Sequence, residues 1–157
     1  MSRNADMLHL VKSVFKSLQD HDVRYVTIGG IAAILHGVPR ATFDLDILIE
    51  ATTENAQRAL DALKECGMGT AYLTTAEDVA ASAGTIFKDY VRVDVLTRVP
   101  GLTFEDAWAG KMQVEFEGQP FYIANRDHII ASKTASARDV DLEDVRMLKA
   151  IEGQEGG

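Results

Sequence analysis

The sequence predicts one α/β domain of the α+β kind, a mixed β-sheet flanked by helices. Three observations carry that prediction. Segments with helical apolar spacing are interleaved with short runs rich in β-branched and aromatic residues. No Ser/Pro-rich linker and no internal repeat divides the chain. Its 157 residues amount to one domain, and a chain of that size buries roughly 68–70% of its unfolded surface without staples.

Each element has its own signal. Met7, Leu8, Val11, Val14, Phe15 and Leu18 recur at three- and four-residue spacing, which predicts an amphipathic helix over 6–19. VRYVTI (23–28) reads as a strand and is ended by Gly29-Gly30. IAAILHG (31–37) is a short helix closed by Gly37, with Pro39 as a stop signal. FDLDILI (43–49) is the second strand, and TTENAQRALDALKECG (52–67) a helix capped by Thr53 and ended at Gly67. Residues 70–89 are read as a short strand, the short helix TAEDVAAS and another short strand. YVRVDVLT (90–97) alternates as a strand does, and TFEDAWAG (103–110) is a short helix or turn. KMQVEFE and PFYIA form a hairpin about Gly118. NRDHIIASKTASA (125–137) and DLEDVRMLKAI (141–151) are helices. Asp141 and Asp144, three apart, read as an N-cap and an acid at the third helical position, with Asp144 alternatively orienting Lys133 or Arg138. The domain is set at 1–152, with 153–157 as a flexible tail.

Composition narrows the class. The chain is 46% hydrophobic and 25% charged, ordinary for a globular protein. With Cys66 as its one cysteine it makes no internal disulfide, which fits a reducing compartment. The N-terminus lacks the apolar block of a signal peptide, and no apolar run reaches the roughly 18 residues of a membrane span. The expectation is a cytoplasmic protein with no membrane partner. A net charge of −8 argues against a long polynucleotide partner.

The stretch YVTIGGIAAILHGVPRATFDLDILIE concentrates the chemistry. Alternate strand residues share a face, so Asp44 and Asp46 point one way while Leu45, Ile47 and Ile49 point into the core. Two neighbouring carboxylates repel, and a hard divalent cation between them is an economical remedy. The plainer alternative is a solvated pair on an open sheet face. In YVRVDVLT, Val91, Val93 and Val95 form one face and Arg92, Asp94 and Leu96 the other. Asp94 would complete a three-acid cluster on a neighbouring strand; its alternative is an exposed residue paired with Arg92 or Lys88. Gly29-Gly30, between a strand and a helix, offers free N–H groups and close backbone approach, a combination that attracts anions. Lys133 is either a cation for this site or a lysine snorkelling to water. His36 suits a helix end, and Trp108 with Phe104 suits packing.

These residues resemble the polymerase-beta-like nucleotidyltransferase superfamily, and most closely its small prokaryotic branch related to AbiEii-type toxins. The likeness rests on Gly29, Gly30, Ala32, His36, Gly37, Arg40, Thr42, Asp44 and Asp46, on Asp94, and on HIIASKTASARDVDLEDVRML near the C-terminus. It implies the nucleotidyltransferase fold and transfer of a nucleoside monophosphate from an NTP to a hydroxyl-bearing acceptor. Gly29 and Gly30 would hold the triphosphate. Asp44, Asp46 and Asp94 would ligate Mg2+, two ions in all, and Asp94 would orient or deprotonate the acceptor hydroxyl. Lys133 would neutralise phosphate charge, and Arg40 and Thr42 would line the site. The acceptor would be a small molecule, a tRNA or a protein. Many members add a C-terminal domain that shapes the acceptor pocket. Only a helix pair stands there in this sequence, so a homodimer or partner protein would complete the pocket unless the acceptor is small. The alternative is a non-catalytic nucleotide- or partner-binding module of a toxin–antitoxin system. A D-x-D glycosyltransferase is disfavoured, since the glycine pair has no role in one.

Overall fold

The computed structural model describes residues 3–156. The elements run α1 (Arg3–Asp20), β1 (Tyr25–Ile28), α2 (Gly29–Leu35), β2 (Asp44–Ile49), α3 (Thr53–Glu65), α4 (Ala76–Ala81), β3 (Gly84–Lys88), β4 (Arg92–Leu96), α5 (Phe104–Gly110), β5 (Met112–Phe116), β6 (Gln119–Ile123), α6 (Arg126–Ser136) and α7 (Asp139–Gly156). The expected mixed sheet flanked by helices is what forms: six strands in the order β3-β4-β2-β1-β6-β5. β4 with β2 and β1 with β6 are parallel; the other three pairings are antiparallel.

Strand alternation sorts side chains into two cores. On one face Tyr25, Leu45, Ile47, Ile49, Phe87, Val93, Val95, Phe121 and Ile123 meet α1, α3 and α4. On the other, Val26, Ile28 and Leu48 meet α2, α5, α6 and α7 through Ala32, Ala33, Phe104, Ala107, Ile129 and Leu148. The second face is apolar only over part of its width, and its remaining end carries the acids. At roughly 1.5–3 kcal/mol per buried aliphatic side chain, the first core is what fixes the strand register.

Local chemistry accounts for the boundaries. Glu117 and Gly118 both take positive φ, 49° and 80°, as the tight β5–β6 hairpin requires. Thr52, not Thr53, caps α3: its backbone is extended and its Oγ1 accepts from the Asn55 N–H at 3.1 Å. The first strand expected within 70–89 is instead a 3-10 helix over Gly69–Leu73. It is pinned there by the Thr70 N–H and Oγ1 donating to Asp89, at 3.1 and 2.5 Å, rather than by a strand edge. α2 starts at Gly29 itself, two residues before the expected start. α7 starts at Asp139 and runs to Gly156, so its backbone continues past Ile151, where the sequence places the helix end; Gly157 lies outside the described residues. Among the described residues no helix is long and apolar enough to cross a membrane.

Candidate active site

The acids rise from β2 and β4, toward the β3 end of the sheet. β2 and β4 pair in parallel with Asp46 beside Asp94 and Asp44 beside Arg92. Neighbouring strands lie about 4.8 Å apart, and residues in register share a face. The packing that buries Leu45, Ile47, Val93 and Val95 therefore turns Asp44, Asp46, Arg92 and Asp94 to the opposite side. The same row continues to Ile28 on β1 and Ile86 on β3.

Asp46 sits in an unfavourable place for a charge. Burial, then the charges of Asp94 and Asp44, push its carboxyl up to about 7, against a smaller opposing pull from Lys133. The closeness of the Asp94 carboxyl to that of Asp46 adds a further push in the same direction. The backbone closes over it. Gly29 has φ +70°, and a methyl on its Cα would lie 2.9 Å from Asp46 Cγ and nearer still to Oδ2. Gly30 is also hemmed in, less severely: a methyl there would meet Thr42 Oγ1 at 2.8 Å and Arg40 Nη2 at 3.2 Å. Gly29→Ala should therefore cost about 1–3 kcal/mol in urea unfolding, from left-handed backbone strain and displacement of Asp46. Gly118→Ala, at a positive φ of 80° with open space around it, serves as the strain-only comparison.

A cleft of about 290 Å³ opens over this end of the sheet, between Gly29, Gly30, Asp44 and Asp46 on one side and α6 and the start of α7 on the other. Arg40, Lys133, Arg138 and Asp141 supply its charged wall, and Leu96, Val99, Pro100 and Ile129 its apolar one. Asp94 and Thr42 are outside the lining. Asp94 is turned to Arg92, and Thr42 backs Gly30.

The charged wall is an ion-pair network. Lys133, 5% exposed, reaches Asp144 at 2.8 Å and Asp141 at 3.5 Å. Arg40 donates twice to Asp144, at 2.9 and 2.8 Å. Arg138 donates twice to Asp141, at 2.7 and 3.1 Å, and Ser136 Oγ once, at 2.8 Å. Burial alone would raise both carboxyls, but these hydrogen bonds outweigh it and hold Asp141 and Asp144 below the ordinary aspartate value. One reading from sequence is corrected here and one open alternative is decided. Asp141 and Asp144 do not form a capping pair, because α7 already begins at Asp139 and their carboxylates serve cations. Lys133 does not snorkel to water, because two buried acids hold it inside. His36 ends α2 and its Nε2 lies 2.8 Å from the Ala124 carbonyl, a structural role.

Arg92, which the sequence offers only as the partner of an exposed Asp94, is a participant in the site. Its Nε and Nη2 donate to the two oxygens of Asp94 at 2.9 and 3.1 Å, and Nε is 3.8 Å from Asp44. The signal was the R-V-D spacing itself, since i and i+2 share a strand face. Three carboxylates give the all-oxygen donor set that hard divalent cations take, and the displaced Asp46 carboxyl marks a spot short of positive charge. The donor chemistry fits such an ion. Among the described residues no three acidic, histidine or cysteine side chains form a ready-made cation cage, and Arg92 takes both oxygens of Asp94.

Comparison with known proteins bears on this geometry. A Thermotoga maritima crystal structure described as a nucleotidyltransferase candidate superposes with a TM-score of 0.57, over 95% of this chain and 94% of that one, at 15% identity. That likeness concerns the fold. A 91-residue stretch is 30% identical to the phosphate acyltransferase of Helicobacter pylori strain J99, covering 55% of this chain and 27% of that protein. The corresponding protein of strain Shi470 gives 29% over 91 residues. The chain thus spans about a quarter of the length of these curated relatives, 27%. The family model described as "Nucleotidyltransferase of unknown function (DUF6036)" matches residues 6–152. With nearly the whole chain inside that match, the protein belongs to this nucleotidyltransferase family.

Proposed function

We propose that the protein is a Mg2+-dependent nucleotidyltransferase of the AbiEii-related branch, transferring a nucleoside monophosphate from an NTP to an acceptor hydroxyl. The observation that carries this reading is the in-register pairing of Asp46 with Asp94 directly beneath the Gly29 backbone. Nucleotidyl transfer asks mainly for positioning and for neutralisation of phosphate charge. Asp44, Asp46 and Asp94 would hold the metal, which when bound supplies charge neutralisation at the transferring phosphate. Gly29 and Gly30 place backbone N–H groups at the uncapped start of α2, where a polyphosphate oxygen can accept them. Lys133, Arg40 and Arg138 give the opposite wall positive charge, while Asp141 and Asp144 fix where those cations point. Thr42 supports the Gly30 backbone. The acceptor oxygen bonds to the α-phosphorus as the bond to pyrophosphate breaks, and Asp94 takes or orients the acceptor proton. The apolar strip Leu96, Val99, Pro100 and Ile129 suits a base or sugar face rather than phosphate.

The test is release of pyrophosphate and transfer of label from each α-labelled NTP, with Mg2+ and cell extract as the acceptor source. The wild type is expected to label an acceptor, and Asp44→Asn to lose at least about 10²–10³ of that rate. No transfer with any NTP would overturn the proposal. The Arg92–Asp94 ion pair favours a second reading, a nucleotide- or partner-binding module of a toxin–antitoxin system. In that case wild type and Asp44→Asn are equally inactive while NTP binding persists.

A further inference from the structure

The strand that carries Asp94 also carries its counter-ion. Arg92 stands beside Asp44 in the sheet register and reaches along the same face to both oxygens of Asp94. It thereby spans two of the three acids at 2.9 and 3.8 Å. The other cations of the cleft are differently placed: Lys133, Arg40 and Arg138 are held by Asp141 and Asp144 on the helix side. Arg92 is held from the sheet side and remains 38% exposed, so its guanidinium has a solvated place to go. Asp94 is only 17% exposed and has no comparable freedom.

We propose that Arg92 is the site's built-in counter-cation, a positioning residue that competes with the divalent ion for Asp94. With no ion bound it keeps Asp94 and Asp44 neutralised and facing the site. When the ion enters, the guanidinium gives up Asp94 and turns outward to solvent. Metal affinity is then set by the strength of the Arg92–Asp94 grip as well as by the acids. The inference rests on the reading of Asp44, Asp46 and Asp94 as metal ligands. It explains why three acids with the right chemistry are not already arranged as a cage.

The experiment is a Mn2+ titration of the full chain, by calorimetry and by the electron paramagnetic resonance signal of free Mn2+. Arg92→Gln removes the competitor and is expected to tighten Mn2+ binding about five- to tenfold, the size of a two-pronged, partly exposed ion pair. Arg92→Lys keeps the charge, loses the two-pronged grip and falls between. Lys88→Gln is the comparison, since Lys88 is the cross-strand neighbour of Arg92 and carries the same charge. It should change binding less than about twofold if direct competition, not the general field, is at work. Unchanged or weaker binding by Arg92→Gln, or equal tightening by Lys88→Gln, overturns the inference. Asp46→Asn separates this from the reading beneath it. If Asp46→Asn loses Mn2+ and Arg92→Gln matches wild type, only the role of Arg92 is overturned. If Asp46→Asn binds as wild type does, the metal-ligand reading fails.

Discussion

Asp46→Asn is expected to make the protein more stable at pH 8 while removing the proposed nucleotidyl transfer. In the folded chain this carboxyl titrates near 7, raised first by burial and then by Asp94 and Asp44; in the unfolded chain an aspartate titrates near its ordinary value of about 4. The folded state therefore holds its proton more tightly. Relative to the unfolded chain, stability is greatest below about pH 4, falls as pH rises between about 4 and 7, and stays low above that. A shift of about three units corresponds to at most about 4 kcal/mol, since each unit is about 1.4 kcal/mol. Shared charge with Asp94 and Asp44 makes about 2–4 kcal/mol the expected gain for asparagine at pH 8. It should vanish at about pH 3, where the carboxyl is protonated in the folded and the unfolded chain alike. Urea unfolding at the two pH values, without divalent ion, measures it. A variant less stable than wild type at pH 8 would show that Asp46 already has its positive partner. With Mg2+ added, the wild type should gain stability and Asp46→Asn should not. An inactive but stabilised variant is the signature of a functional site held against the preference of the fold.

Most of the fold was legible because periodicity reports directly on burial. Leu45, Ile47 and Ile49 point inward for the reason they were expected to, and that parity sends Asp44 and Asp46 outward. The placement of Asp94 beside Asp46 followed from alternation plus one assumption, that β4 is the neighbour of β2. Sequence alone does not supply strand order. The spacing of Asp141 and Asp144 satisfies a local capping rule, but their carboxylates are committed to Lys133, Arg40 and Arg138, so of the two roles open to Asp144 the structure takes the one toward Lys133. Arg40 lies 104 positions from Asp144, and no local pattern announces such a pair. Thr52 and Thr53 have the same capping chemistry, and only the backbone chooses between them. The 3-10 helix over Gly69–Leu73 was hidden because a few residues of TAYL cannot separate one short element from another. Arg92 was visible as a face-mate of Asp94, but its length lets it reach Asp44 as well, and reach is a property of geometry.

Lys133→Met is the substitution with the largest expected structural cost. It keeps the volume of the side chain and removes the charge from between two acids that are 2% and 1% exposed, Asp141 and Asp144. Breaking a buried pair by removing one partner costs about 3–5 kcal/mol, because a charge is left behind without its partner. Asp144 keeps Arg40 and Asp141 keeps Arg138, so about 3 kcal/mol is the expected loss. For a chain of this size that is roughly 6–12 °C in Tm. The pH dependence has the opposite sign to that of Asp46. Asp141 and Asp144 are held below the ordinary aspartate value, so their contribution is present above about pH 4 and is lost as pH falls further. Lys133→Met should therefore lose less stability at pH 3 than at pH 7, and the two urea-unfolding profiles should converge in acid. Asp144→Asn in the same background should restore part of the loss, giving a double-mutant coupling of about 1–3 kcal/mol. Parallel profiles, or strict additivity, would mean that Lys133 is held by packing alone. Its place in the cleft wall would then owe nothing to the acids of α7. A coupled result makes α7 the element that aims Lys133, so that a substitution in one helix changes the charge a phosphate meets from another.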